Sequence, residues 1–155
     1  MRHRFDTLSI INVIIPPIAS SYVVLTPAFK DISCPITIIH ATDDWDIPVS
    51  HANVLFDALL ESLLPAYPFD QREMLLGKVP YSEVLQVISQ RKARREEVIT
   101  AKEIDGLGTI RSFAREEDKG DVVMLETTWG EHNGITEIEG VIDVIGWSVG
   151  MGEVH

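Results

Sequence analysis

The pattern of hydrophobic positions first indicates a strand near the middle of the N-terminal half. Residues 35–40 (PITIIH) form a short run that is almost wholly apolar and rich in β-branched side chains, and an acidic turn follows it. Such a run predicts a strand that is buried on both faces. Strands of this kind usually belong to parallel sheets covered by helices on both sides, so the pattern favours an α/β fold with a mainly parallel sheet.

A helix is predicted directly after the acidic turn. Pro48 and Val49 precede Ser50, a candidate N-cap, and apolar residues then recur at helical spacing up to residue 64. We therefore expect a helix over about residues 50–64. Strand, polar loop and helix together make an α/β unit, and open sheets bind their ligands in the loops at the carboxyl ends of their strands.

The middle of the chain has the pattern of an insertion, at about residues 65–105. Proline, glycine and aromatic residues over 65–80 predict an irregular connection, and periodic apolar residues over 82–103 predict a helix. The charged residues 91–97 within that helix predict a solvated face with local ion pairs.

Two β-rich runs and a short helix are predicted in the C-terminal third. Residues 109–114 and 122–127 are separated by a charged turn that contains glycine, which predicts a hairpin. Apolar residues at helical spacing over 138–145 predict a final helix.

The N-terminal segment, residues 1–30, carries an apolar run from Leu8 to Leu25 that follows two arginines, as in a signal peptide or a short membrane anchor. Pro16 and Pro17 interrupt the run and break the continuous helix that a membrane span needs. The pattern therefore favours a helix or cap packed on the core over a targeting segment. A cytoplasmic and a membrane-associated location both remain open.

Charge and cysteine content exclude several classes of protein. The formal net charge of −11 would repel phosphate backbones, which argues against nucleic-acid binding. A single cysteine cannot form an intramolecular disulfide, and we expect Cys34 to be a small buried residue before the first strand. The chain has no zinc-binding Cys/His spacing, and no cofactor is predicted.

The acidic turn after the predicted strand holds the first candidate for chemistry. Residues 40–48 (HATDDWDIP) resemble the acid loop of the α/β-hydrolase superfamily, in which a strand ends in H-G-x-x-D followed by x-x-(V/I)-P. Alignment on Ile47 and Pro48 makes Asp44 the acid of a catalytic triad, with Asp43 as an alternative register. A catalytic histidine needs such a carboxylate to fix its tautomer and stabilise its protonated form.

Two other interpretations of the acidic turn remain open. The carboxylates can form a solvated turn, or they can place negative charge at the start of the following helix. A divalent metal ion is a further possibility, although the spacing matches no EF-hand or zinc pattern. Its candidate ligands would be His40, Asp43, Asp44, Asp46 and His51.

The second candidate is His132, in the segment 129–134 (WGEHNG). This segment resembles the loop in which α/β-hydrolases hold their catalytic histidine, after a strand and before the last helix. His132 follows Asp44 by 88 residues, which is the family's order of acid then histidine.

The nucleophile is the missing member of the triad. In the family, a serine in G-x-S-x-G lies upstream of the acid. No such motif lies within the 43 residues before Asp44, and the first glycine of the chain is Gly77. Residues 146–150 (GWSVG) match the pattern, but they follow both partners and only five residues come after them, so we do not expect Ser148 to be the nucleophile.

The resemblance implies that residues 31–155 are the C-terminal part of an α/β-hydrolase domain, with the N-terminal half and its nucleophile elbow missing. Residues 33–48 and 129–135 are most similar to the monoacylglycerol and lysophospholipid lipase-like, membrane-associated group of hydrolase-domain proteins. That implies a serine hydrolase of carboxylic or lipid esters, with no metal or organic cofactor, in which Asp44 orients His132. The chain alone is expected to be inactive and to self-associate. The alternative is a non-catalytic interaction or regulatory protein built on a hydrolase remnant.

Overall fold

A computed structural model describes residues 32–70, 72–73, 76–116 and 119–148. The predicted N-terminal segment, residues 1–30, lies outside the described residues. The described strands are β1 (Ile36–Ala41), β2 (Thr100–Ile104), β3 (Gly108–Ala114) and β4 (Asp121–Thr127). The described helices are α1 (Ser50–Leu60), α2 (Tyr81–Val98) and α3 (Glu139–Ser148), with short 3-10 helices at Glu61–Leu63 and Ile135–Glu137.

The four strands form one sheet in the order β1-β4-β3-β2. β1 and β4 are parallel, whereas β4 with β3 and β3 with β2 are antiparallel. The α/β class and the predicted hairpin of β3 and β4 are thus confirmed. The described sheet is mixed rather than mainly parallel, because strands joined by short turns pair antiparallel and a parallel pair needs a long crossover.

Strand β4 lies at the centre of two apolar layers. Val122 and Met124 pack with Phe56 and Leu60 of α1 on one face, and Leu125 packs against α3 on the other. Successive side chains of a strand point to opposite faces, so a strand covered on both sides must be apolar throughout. Because β1 runs parallel to β4, the carboxyl ends of the two strands lie at the same edge of the sheet.

The structure corrects the predicted ends of two helices. The helix expected over residues 82–103 ends at Val98, and residues 100–104 form β2 instead, paired with β3 from Thr100 to Ile104. Pairing with β3, which follows after a tight turn at residues 105–107, decides this conformation, and helical periodicity does not detect it. Helix α1, predicted to run to residue 64, ends at Leu60 and is followed by the 3-10 helix at Glu61–Leu63. Its N-cap is Val49, so Ser50 does not cap it.

The charged middle of α2 is only partly the solvated face that was predicted. Arg91 is buried and lies over the ring of Tyr67, with its guanidinium 2.6 Å from Glu61. Lys92 and Arg94 do form exposed ion pairs within the helix, with Glu96 and Glu97. The prediction was wrong for Arg91 because its apolar stem and planar head pack over the residues that follow α1.

Cys34 is exposed, so the prediction that it is buried was wrong. None of the helices that the structure describes is both long enough and apolar enough to cross a membrane.

Candidate active site

The parallel pairing of β1 and β4 brings together the acid loop, residues 40–48, and the histidine loop, residues 129–134. Ala41, the last residue of β1, lies beside Thr127, the last residue of β4, and the Thr42 amide donates to the Thr127 carbonyl at 2.8 Å. Asp44 follows the end of β1 by three residues and His132 follows the end of β4 by five. Residues 88 positions apart in sequence therefore meet at one edge of the sheet.

Asp44 and His132 form a direct hydrogen bond. Nδ1 of His132 lies 3.0 Å from Oδ2 of Asp44, whose side chain is 3% exposed, whereas that of His132 is 41% exposed. An ionised carboxylate has no proton to give, so Nδ1 is the donor. In the neutral imidazole this leaves Nε2 as an acceptor. No residue in the described part of the chain hydrogen-bonds to Nε2.

The acid loop satisfies the second oxygen of Asp44 from its own backbone. Oδ1 accepts from the amides of Asp46 at 2.9 Å and Ile47 at 2.8 Å. Burial alone would raise the pKa of Asp44, but hydrogen bonds from Ile47, His132 and Asp46 outweigh it and lower the pKa below its usual value. Asp44 is therefore a carboxylate at neutral pH.

His40 ties the acid loop to strand β1. This residue, 9% exposed, is the last but one of β1, and its Nε2 donates to the Ile47 carbonyl at 2.8 Å. A carbonyl can only accept, which fixes the proton on Nε2. Both backbone groups of Ile47 are thus hydrogen-bonded, the amide to Asp44 and the carbonyl to His40.

Asp43 contacts the histidine loop rather than the histidine. Its Oδ1 accepts from the Glu131 amide at 2.9 Å, and Glu131 has a left-handed backbone with φ 49°. Of the two registers left open by the sequence, Asp44 therefore contacts the imidazole. The contact of Asp43 with Glu131 was not predicted, and the second carboxylate beside Asp44 was its only signal.

The structure does not gather the candidate metal ligands. His40 is bonded to a carbonyl and Asp44 to two amides and an imidazole. Over the described ranges, no group of three or more His, Cys, Asp or Glu side chains is placed to hold a metal ion.

Ser148 lies at the wrong end of the sheet to serve His132. It is the last residue of α3, and its hydroxyl accepts from the Thr37 hydroxyl at 2.7 Å near the start of β1. Thr37 is four residues from the end of β1, a distance of about 13 Å along a strand. No serine among the described residues hydrogen-bonds to His132.

A groove of about 390 Å³ lies beside the histidine loop. Its apolar lining includes Trp129, Leu107 and Ile138, and acidic residues also line it. Neither Asp44 nor His132 lines it, so this groove is separate from the acid–histidine pair.

No protein-family model, curated protein or solved structure matches this chain.

Proposed function

We propose that Asp44 and His132 are the acid and the histidine of a serine-hydrolase triad, within the C-terminal part of an α/β-hydrolase domain. The substrates proposed are carboxylic or lipid esters. The observation that carries the proposal is the 3.0 Å hydrogen bond from Nδ1 of His132 to a buried carboxylate, with the rest of the ring partly exposed. A general base needs this arrangement, with one nitrogen oriented and the other available.

The positions of the two loops support the same proposal. The acid follows one strand of a parallel pair and the histidine follows its neighbour, with a helix after the histidine. This is the order and placement that the α/β-hydrolase resemblance of residues 40–48 and 129–134 implies. Ligands of open α/β sheets bind at this same edge.

The chemistry assigned to the pair is general base and then general acid catalysis. Nε2 of His132 takes the proton of a serine hydroxyl as its oxygen forms a bond to the ester carbonyl carbon, and then gives that proton to the departing alkoxide. Water is deprotonated in the same way to release the acid product and the serine. Throughout, the ionised Asp44 stabilises the imidazolium and keeps its orientation.

The described residues supply only the acid and the base in this scheme. Ser148, the serine within the G-x-S-x-G pattern of residues 146–150, contacts Thr37 near the start of β1, whereas His132 lies at the other end of that strand. We therefore propose that the nucleophile and the oxyanion-binding amides come from polypeptide other than the described residues. Without them most of the rate enhancement is lost, and negligible turnover is expected of the 155-residue chain.

The proposal is tested first by sequencing the transcript that encodes this chain. A G-x-S-x-G segment encoded upstream and in frame is expected, and the longer product should hydrolyse short-chain esters and react with an active-site serine phosphonate. In that product, His132→Ala and Asp44→Asn should each lower kcat by about 10³-fold or more. Glu103→Gln, on the edge strand β2, is the matched control and should leave kcat unchanged.

Two results would contradict this proposal. The first is strong phosphonate labelling of the 155-residue chain that His132→Ala abolishes, because the nucleophile would then lie within the chain. The second is a longer, active product whose activity survives both Asp44→Asn and His132→Ala.

A second function, non-catalytic binding, is favoured by one observation. Among the described strands, β1 is paired on one edge only, although Ile36, Ile38 and Ile39 have the apolar composition of an interior strand. An open apolar edge favours association with another strand. Self-association or partner binding that persists in the Asp44→Asn and His132→Ala variants, without esterase activity in any transcript product, would support this alternative.

A further inference from the structure

We propose that Asp43 is a positioning residue for His132. Its carboxylate holds the Glu131 backbone in the left-handed conformation that directs the next side chain toward Asp44. The catalytic meaning of this role rests on the proposed function, but the structural relation between Asp43, Glu131 and His132 can be tested separately.

The backbone of Glu131 needs external support. Its φ of 49° lies in the left-handed region, which a residue with a Cβ atom disfavours by about tenfold relative to the right-handed one. Glycine has no such preference, yet this position is occupied by glutamate. The 2.9 Å hydrogen bond from the Glu131 amide to Oδ1 of Asp43 holds the peptide group that leads into this residue, directly before His132.

Another backbone hydrogen bond of the histidine loop lies within the loop, so the bond from Glu131 to Asp43 has a different role. The Gly134 amide donates to the Gly130 carbonyl at 2.8 Å, which closes the turn on itself but does not tie it to the acid loop. The contacts from the acid loop to Glu131 and His132 are the hydrogen bonds of Asp43 and Asp44. Asp43 thus anchors the backbone just before His132, and Asp44 anchors its ring.

One short turn therefore places both members of the pair. Asp44 accepts hydrogen bonds from the amides of Asp46 and Ile47, and the adjacent Asp43 accepts one from the Glu131 amide of the histidine loop. A displacement of the acid loop would move the acid and the histidine together. The distance between Nδ1 and the carboxylate is preserved by this coupling, as a pre-organised base requires.

The role assigned to Asp43 depends on an acceptor oxygen rather than on its charge. Asparagine offers a side-chain oxygen in the same place and can accept from the Glu131 amide, whereas alanine cannot. Asp43→Asn is therefore the conservative variant. Adding Glu131→Gly to Asp43→Ala removes the conformational cost at position 131 without restoring the hydrogen bond to the acid loop.

Nitrogen-15 NMR of the 155-residue chain tests the proposal through two signals. These are the hydrogen exchange of the position-131 amide and the imidazole tautomer of His132. Asp43→Ala should lower the amide protection by about tenfold and convert a single Nδ1–H tautomer into a mixture. Asp43→Asn should keep both signals as in the wild type. Asp43→Ala with Glu131→Gly should recover the tautomer but not the amide protection.

The outcomes separate this inference from the proposed function. An unchanged tautomer in folded Asp43→Ala, or a mixture in Asp43→Asn equal to that in Asp43→Ala, would overturn the positioning role while leaving the Asp44–His132 pair intact. Failure of the proposed function has a different signature, in which wild-type His132 is not the Nδ1–H tautomer and Asp44→Asn has no effect on it. That result would overturn both.

Discussion

The acid loop and the histidine loop hold their functional side chains by different means. In the acid loop, Asp44 is buried and accepts two hydrogen bonds from amides within three residues, and His40 ties the same turn to β1. In the histidine loop, His132 is partly exposed and is oriented by carboxylates 88 residues away in sequence.

The difference shows which part of the pair can form locally. The acid loop is a compact turn whose hydrogen bonds come mostly from its own backbone, so its geometry follows from a short stretch of sequence. The histidine loop has its geometry only when β1 and β4 are paired. We therefore expect changes in the acid loop to disturb both loops, and changes in the histidine loop to disturb only one.

The largest effect is expected from Asp44→Ala. This variant leaves two amides and an imidazole without their acceptor at a site from which water is largely excluded, and should lower the free energy of unfolding by about 2–4 kcal/mol. Asp44→Asn keeps an acceptor for the Asp46 and Ile47 amides and should lose less, about 1–2 kcal/mol. Urea unfolding of the two variants measures both values, and an Asp44→Ala loss below that of Asp44→Asn would contradict the scheme.

Gly130→Ala is the corresponding change in the histidine loop. Its φ of 134° is unfavourable for alanine, and the new Cβ would lie 3.1 Å from side-chain atoms of Ile135 and Ile138. A loss of about 2–3 kcal/mol in the free energy of unfolding is expected, with the acid-loop amides unaffected. Gly146→Ala in α3 is the matched control. Nothing lies within 4 Å of its Cβ, so it should be neutral or slightly stabilising.

His40→Phe tests how far the acid loop depends on β1. The Ile47 carbonyl would lose its donor, and the free energy of unfolding should fall by about 1–2 kcal/mol. His40→Gln keeps a donor near the position of Nε2 and should recover at least half of that loss. Thermal unfolding distinguishes the two variants. A larger loss for His40→Gln than for His40→Phe would show that the ring shape, and not the hydrogen bond, is what the loop requires.

The smallest effect is the pH dependence contributed by Asp44. Because its pKa in the folded chain is lowered from 3.8, the unfolded chain binds more protons in the acid range and stability rises with pH there. The contribution is complete above about pH 4–5 and is lost as the pH falls through the folded-state pKa. The stability difference between the wild type and Asp44→Asn should therefore shrink below pH 3.8. A difference that grows with acidification would contradict the assignment.

Local patterns predicted the elements around the acid loop. The apolar run of β1, the helical spacing of α1 and the hairpin of β3 and β4 are each decided by neighbouring residues and were predicted from them. Asp44 and His132 were named from their loops, and their contact follows from the pairing of β1 with β4. Their catalytic role stays a prediction.

The features that were missed depend on contacts with another segment of the chain. β2 exists because β3 offers it a pairing edge, and Arg91 is buried because residues after α1 fold over it. The contact between Asp43 and Glu131 needs both loops in place and a left-handed residue that is not glycine. A pattern within one segment does not identify the partner residue in such contacts.

The imidazole tautomer of His132 tests the central claim most directly. Long-range nitrogen–proton NMR at neutral pH should show Nδ1 protonated and Nε2 free in the wild-type chain, because Nδ1 donates to Asp44. In Asp44→Asn the Nε2–H form should become the main one. A wild-type His132 with its proton on Nε2, or a tautomer that Asp44→Asn does not change, would contradict the assignment of the pair as the acid and base of a hydrolase.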